Sequence, residues 1–303
     1  RSPSDDWNGH VLGAQRWNGK WLLRTAIGIF EWDGSSDTYE RPRALVDARK
    51  RATSSQTTFI QPIGNGGLLI GTWAHGLLKY MGNGPAEELT QLNGTPIPSK
   101  MPLSVAVYGP DTWIGFNSGH GLVRIREDRI VEHLLHEPDS TGANYGVVRS
   151  LAVDTNGTLY IGTLMGGLGI REPGSGAIEW YTRSDGLSGD RIEQLLLAPD
   201  GALWVRTSGG LARFDTRTRA SRTLELPHSL ASLGRLNSIA LDHDGSLLCT
   251  IGAYVLDLPS TAMEGTEPPA VELTGLQFAG RTFHSWFTDS IIDHIASWGG
   301  DHI

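Results

Sequence analysis

The chain has 303 residues, a formal net charge of −8 and a single cysteine, Cys249. An acidic balance with one dense basic run, residues 41–51, excludes a nucleic-acid surface. A lone cysteine excludes an internal disulfide framework, and no apolar run reaches the ~18–20 residues that a bilayer span needs.

One pattern recurs six times along the chain: an apolar strand ending in Gly-Thr, a Gly-rich turn, and a second apolar strand. The copies are KWLLRTAIGIFEWDG (20–34), LLIGTWAHGLLKYMG (68–82), TWIGFNSGHGLVRIR (112–126), LYIGTLMGGLGIREP (159–173), LWVRTSGGLARFD (203–215) and LLCTIGAYVLDL (247–258). The equivalent positions Thr25, Thr72, Phe116, Thr163, Thr207 and Ile251 are spaced by 47, 44, 47, 44 and 44 residues. A fixed period of this size marks a repeat architecture.

Each repeat reads as four short strands. In 147–182 they are VVRSLAVD, TLYIGT, LGIRE and AIEWYT, parted by TNG, MGG and a loop. Asn156-Gly157, Asp200-Gly201 and Asp244-Gly245 are hairpin signals, expected as type I′ turns with φ > 0 at both central residues. No window carries a sustained 3.6-residue period, so helix is expected to be scarce. A four-stranded antiparallel unit of ~45 residues is a propeller blade, which buries its two faces only by stacking on neighbours. The expectation is an all-β propeller of seven blades, with six as the alternative count. Residues 1–262 hold the recognisable repeats, and residues 263–303 form a degenerate last blade or a closing segment.

The blade pattern resembles the two-component regulator propeller repeat, best in DTNGTLYIGTLMGGLGI (154–170) and APDGALWVRTSGGLARFD (198–215). The stretch SDGLSGDRIEQLLLAPDG (184–201) is similar to the lead-in that this family places before a blade. The resemblance covers about residues 10–258; Phe116 and Ile251 in place of Thr, and a shortened turn at Gly109–Asp111, depart from it. Residues 266–283 resemble the passage from such a propeller toward an immunoglobulin-like domain. The resemblance implies an extracytoplasmic, periplasmic or extracellular sensor region of a membrane-bound regulator, and oligosaccharides as a ligand class. The chain shows no signal peptide and reads as a segment of a longer protein.

Chemical motifs are sparse. Asp154-Thr-Asn156-Gly157 and Asp242-His-Asp244-Gly245 open like calcium loops, but the twelfth position holds Met165 or Ala253 instead of a bidentate acid. Turn geometry is the better explanation. No zinc spacing, nucleophile elbow or phosphate loop is present. The reading is therefore a domain without catalytic residues, metal or cofactor.

Of the ten tryptophans, Trp21, Trp113 and Trp204 fall in second strands and are expected between blades. Trp32, Trp180 and Trp286 are expected to be partly buried. Trp73 differs, because it follows Gly71-Thr72 directly in a turn. Propellers bind small partners on the face formed by the second-to-third-strand loops and the loops entering each blade. The candidates there are Trp73 and His75; Asn117, Ser118 and His120; Met165; Ser208; and, from the entry loops, Asn144, Tyr145, Arg191 and Arg235. An aromatic face flanked by hydrogen-bonding groups suits a sugar. Thr58, Arg149, Glu193 and Asn237 are equivalent positions at blade starts and are candidates to line the channel. The leading functional expectation is a sensor for a small molecule or oligosaccharide. A protein-docking or homodimerisation platform, possible also toward an adjacent domain, is the alternative. A propeller lyase or hydrolase comes third. Neither nucleic acid nor membrane is an expected partner.

Overall fold

The computed structural model describes residues 11–25, 28–32, 57–82, 85–117, 119–135, 146–224, 235–241, 245–251, 254–258, 275–278 and 281–284. Apart from two single-turn 3-10 segments, Gly64–Gly66 and Arg183–Asp185, every regular element among them is a strand. The fold is all-β, of the β-propeller type, and divides into two compact units, Arg1–Met165 and Gly166–Ile303.

The first unit opens with β1 (Val11–Trp17), β2 (Lys20–Thr25) and β3 (Gly28–Trp32), one antiparallel sheet. Next come β4 (Thr57–Ile63), β5 (Gly67–Thr72), β6 (Leu77–Tyr80) and β7 (Glu87–Leu89), a complete four-stranded blade. A small hairpin of β8 (Gln91–Leu92) and β9 (Thr95–Pro96) follows, then the third blade of β10 (Pro102–Tyr108), β11 (Asp111–Phe116), β12 (Leu122–Arg126) and β13 (Arg129–Leu134). The unit ends with β14 (Val148–Val153) paired to β15 (Leu159–Thr163).

In the second unit β16 (Leu168–Arg171) pairs with β17 (Glu179–Tyr181). The next blade is β18 (Ile192–Leu197), β19 (Leu203–Thr207), β20 (Gly210–Phe214) and β21 (Ser221–Leu224). Three strands follow: β22 (Leu236–Leu241), β23 (Leu247–Ile251) and β24 (Tyr254–Leu258). Strands β25 (Gly275–Phe278) and β26 (Arg281–His284) pair antiparallel within 263–303. The other residues expected to make the last blade, Trp286 among them, lie outside the described residues. All six repeats thus appear as antiparallel strands at the places the pattern marks.

Why the second strands read as unbroken apolar runs is clear from β5, every residue of which is buried. Side chains alternate between the two faces of a strand. Leu68 and Ile70 pack with Leu22, Ile60, Leu78 and Tyr80 toward the first sheet. Leu69 packs with Phe59 and Leu77 against Ile114, Phe116 and Val123 of the third blade. Each fully buried Leu or Ile contributes about 1.5–3 kcal/mol. In the second unit Trp204, Leu211 and Leu224 meet Ile239, Leu247, Cys249 and Ile251 in the same manner.

The six blade starts among the described residues carry the same irregularity. The pairing of first and second strands skips one residue between Val11 and Gly13, Thr57 and Phe59, Pro102 and Ser104, Val148 and Ser150, Ile192 and Gln194, and Leu236 and Ser238. Thr58, Arg149, Glu193 and Asn237, read as equivalent positions, are the residues that the register skips at these bulges, together with Leu12 and Leu103. A bulge bends its strand and re-aims a side chain.

The turns correct one expectation. At Asn156-Gly157 and Asp200-Gly201 only the glycines take positive φ, 87° and 85°. Asp154 N donates to Thr158 O and Ala198 N to Ala202 O, closing three-residue loops rather than type I′ turns. This is a type I turn followed by a left-handed glycine. The two-residue turns with positive φ at both positions lie elsewhere, at Asn18-Gly19, Asn93-Gly94 and Glu127-Asp128.

Candidate functional site

The repeated threonine is a turn bracket. Thr72 Oγ1 donates to Gly76 O at 2.9 Å and accepts from His75 N at 3.0 Å. Thr25 Oγ1 donates to Gly28 O, and Thr207 Oγ1 accepts from Gly209 N. All the threonines of the series are at most 3% exposed. The hydroxyls of Thr25, Thr72 and Thr207 are therefore taken up within the turns. Phe116 replaces the bracket by burial and keeps only the backbone bond from its N–H to Gly121 O.

The same turns are tied to the chain entering the next blade. Gly76 N donates to Lys100 O, Gly121 N to Gly146 O and Gly167 N to Asp190 O, each at 2.9–3.0 Å. On the other side Asn117 N donates to Met101 O. Lys100 and Met101 thus stand between the turn carrying Trp73 and His75 and the turn carrying Asn117 and His120, and the structure brings these two candidate groups to one face of the first unit. Trp73 is 42% exposed, unlike the buried Trp113 and Trp204. His75 and Asn117 are half-buried; His120 is exposed, with its carbonyl 2.8 Å from His133 Nε2. Asn117 Nδ2 points at Met101 Sδ, 3.8 Å away. Met165, 67% exposed, ends the same unit. Ser118, Asn144 and Tyr145 lie outside the described residues.

In the second unit Arg191 and Ser208 come together, with Ser208 N donating to Arg191 O at 3.1 Å. The Arg191 guanidinium is held by the bulge carboxylate of Glu193 at 2.5 Å. Arg235 is exposed and immediately precedes β22. In each unit the candidates are defined by that unit's own turns.

The sequence reading passed over a set of bridges beneath this face. Because each bulge disturbs the ladder at its first residue, that residue's carbonyl needs another donor. The preceding blade provides it: Arg24 Nη1 to Thr57 O, Thr58 Oγ1 to Pro102 O, Ser104 Oγ to Val148 O and Arg206 Nη1 to Leu236 O, at 2.6–3.2 Å. Burial pushes the Arg24 guanidinium below its ordinary value. The signal was present in the sequence, since LLRT and WVRT carry Arg where LIGT and YIGT carry Gly. Where Gly stands, neighbouring side chains take the space: a Cβ on Gly71 would lie 2.5 Å from Thr58 Oγ1 and 2.5 Å from the Phe59 ring. Gln194 clamps the next first strand with both amide atoms, Nε2 to Ile239 O and Oε1 from Ile239 N.

The calcium-like turn is self-satisfied. Asp154 Oδ1 accepts from Asn156 N and Thr158 N, and Oδ2 accepts from Tyr160 Oη. Among the described residues no group of three His, Cys, Asp or Glu is placed to hold a metal. No described helix is long and apolar enough to cross a membrane.

No family model and no curated protein sequence matches the chain. Solved structures do match in fold. The extracellular domain assigned to the hybrid two component system BT4673 of B. thetaiotaomicron is 19% identical with a TM-score of 0.66, over 92% of this chain and 34% of that one. The corresponding domain of BT3049 is 17% identical with a TM-score of 0.63, over 79% of this chain and 32% of that one. The present chain thus spans about a third of these domains. A catalytically inactive virginiamycin B lyase from Staphylococcus aureus, solved with quinupristin, is 18% identical with a TM-score of 0.59, over 82% of this chain and 80% of that one. The chain has the propeller fold found in extracellular domains of hybrid two-component systems, consistent with the two-component regulator propeller family that its repeats resemble.

Proposed function

We propose that the chain is a ligand-sensing propeller of an extracytoplasmic signal-transduction regulator, working in the periplasm or outside the cell, and that its ligand is an oligosaccharide. The observation that carries this reading is Trp73. The residue is 42% exposed in a turn whose backbone is fixed by Thr72 and tied through Gly76 to Lys100. An exposed ring on a rigid turn offers a flat apolar surface to the C–H face of a sugar. Asn117, across Lys100 and Met101, offers amide groups to its hydroxyls. Pockets of this kind take orientation from a few placed polar groups. The likeness to extracellular domains of hybrid two component systems supports the sensor role. Ligand binding signals only if it favours one of two arrangements of the protein over the other.

Calorimetry against plant and host oligosaccharides tests the reading, with Trp73→Ala and His120→Ala combined in one variant. Loss of binding in the variant supports the site. Unaltered affinity removes it, and light scattering that shows a concentration-dependent dimer without any sugar binding favours the docking-platform alternative.

A further inference from the structure

Asparagine followed by glycine is chemically labile, because the glycine nitrogen can attack the side-chain amide with no Cβ in its way. The chain holds six such pairs, beginning at Asn8, Asn18, Asn65, Asn83, Asn93 and Asn156. The side chains of Asn8, Asn65 and Asn83 lie outside the described residues. The other three pairs belong to the first unit and stand in turns, but in three different settings.

Asn156 is the most protected. The attacking atom, Gly157 N, donates to Asp154 O at 3.1 Å. Asn156 N is held by Asp154 Oδ1, and the Tyr108 ring lies 2.8 Å from where a Cβ on Gly157 would stand. Asn18 is exposed, and nothing lies within 4 Å of a Cβ position on Gly19. Its hairpin is firmly closed, however. Strands β1 and β2 pair at six positions, up to Trp17 with Lys20, and β2 pairs in turn with β3. Arg16 Nη1 donates to Gly19 O, and Trp17 Nε1 donates to Gly66 O of the next blade, both at 2.9 Å.

Asn93 has neither safeguard. Asn93 and Gly94 are exposed, and nothing lies within 4 Å of a Cβ position on Gly94. Gly94 N–H donates to nothing among the described residues. Strands β8 and β9 pair at two positions, Gln91 with Pro96 and Leu92 with Thr95, and form a sheet of their own. Buried Leu92 and the bond from Ile97 N to Thr90 O hold its base. A lone two-stranded hairpin is marginal, so it opens more readily than a blade does.

We propose that Asn93 is a self-modification site, where the fold presents a reactive Asn-Gly pair to water. Gly94 N attacks Asn93 Cγ, and the new bond closes a five-membered imide. The side-chain nitrogen leaves as ammonia, carrying the proton from Gly94 N. Water then adds to one imide carbonyl and opens the ring, leaving aspartate or isoaspartate at position 93. Either product adds a negative charge to the tip. Isoaspartate also inserts a carbon into the main chain, so the two-residue turn no longer sets the register of Leu92 and Thr95.

The test incubates the full chain at mildly alkaline pH, native and in guanidinium chloride. Peptide mapping follows conversion at each asparagine, with fragment spectra that separate Asn83 from Asn93 and isoaspartate from aspartate. In the native chain Asn93 should convert roughly tenfold faster than Asn18 and roughly a hundredfold faster than Asn156, because closing a hairpin suppresses the reaction by its opening equilibrium. In denaturant the three rates should fall within about threefold of one another, since no turn remains to protect any of them. A native rate at Asn93 equal to or below that of Asn18 or Asn156 overturns the proposal. So does the same spread of rates in denaturant, which would assign the difference to neighbouring residues and not to the fold.

Discussion

Replacing Gly115 by alanine tests the account of how blades meet. A Cβ there would lie 2.5 Å from Ser104 Oγ and 2.5 Å from Val148 Cγ1, closer than real contacts allow. Both neighbours belong to one bridge, since Ser104 Oγ donates to Val148 O at 3.1 Å. Gly115 also has no φ that demands glycine, so sterics alone are at issue. Overpacking of this kind costs about 1–3 kcal/mol. Displacing Ser104 leaves a buried carbonyl short of a donor, a further ~1–3 kcal/mol. The expected loss is therefore about 2–5 kcal/mol, read as a lower urea midpoint by tryptophan fluorescence. Gly176→Ala is the control, because nothing lies within 4 Å of its Cβ position and its φ is ordinary. It should be neutral or stabilise by up to about 1 kcal/mol through the unfolded chain. Combining Gly115→Ala with Ser104→Ala should cost less than the sum of the two, because one of the two collision partners is gone. A Gly115→Ala midpoint within ~0.5 kcal/mol of the parent would refute the reasoning.

Further predictions concern charge, ligand and thiol. Asp111 accepts Arg126 Nε and Nη2 at 2.7 Å each, and this pair, with Arg124 nearby, holds its carboxyl below the ordinary value. A depressed folded-state value means stability that is present above the unfolded carboxylate range near ~3.9 and is lost as pH falls through the folded value. Asp111→Asn should therefore lower the urea midpoint at neutral pH, and the difference from the parent should vanish in acid; a pH-independent difference would contradict the assignment. Trp73→Ala should leave the thermal midpoint nearly unchanged, within ~0.5 kcal/mol, while removing sugar binding. Cys249 is 1% exposed, so a thiol reagent should react with it only on unfolding; fast labelling of the native chain would show that its strand opens.

Much of the fold was legible because it is written locally. The Gly-Thr pattern marked the second strands, and alternation marked the first. Trp73 stood out because it sits where the other repeats turn. Asn18-Gly19 and Asn93-Gly94 were equally legible as two-residue hairpins, yet the reading weighted only the turns that match the repeat. Asp154 shows the limit of a local motif: its carboxylate is used up by Asn156, Thr158 and Tyr160, which a spacing rule for calcium does not register.

By itself the sequence determined the repeat, the strand order and the burial of both faces, because these follow from periods of two residues and from glycine at turns. It did not determine the bulges or the carbonyl bridges. Arg24 meets Thr57, Thr58 meets Pro102, Ser104 meets Val148 and Arg206 meets Leu236 across 30–44 residues of chain. Such contacts exist only once blades stack, and the donor can be Arg, Thr or Ser as long as it reaches the freed carbonyl. The tertiary structure decided them because one geometric need can be met by several side chains, so no single residue type announces it.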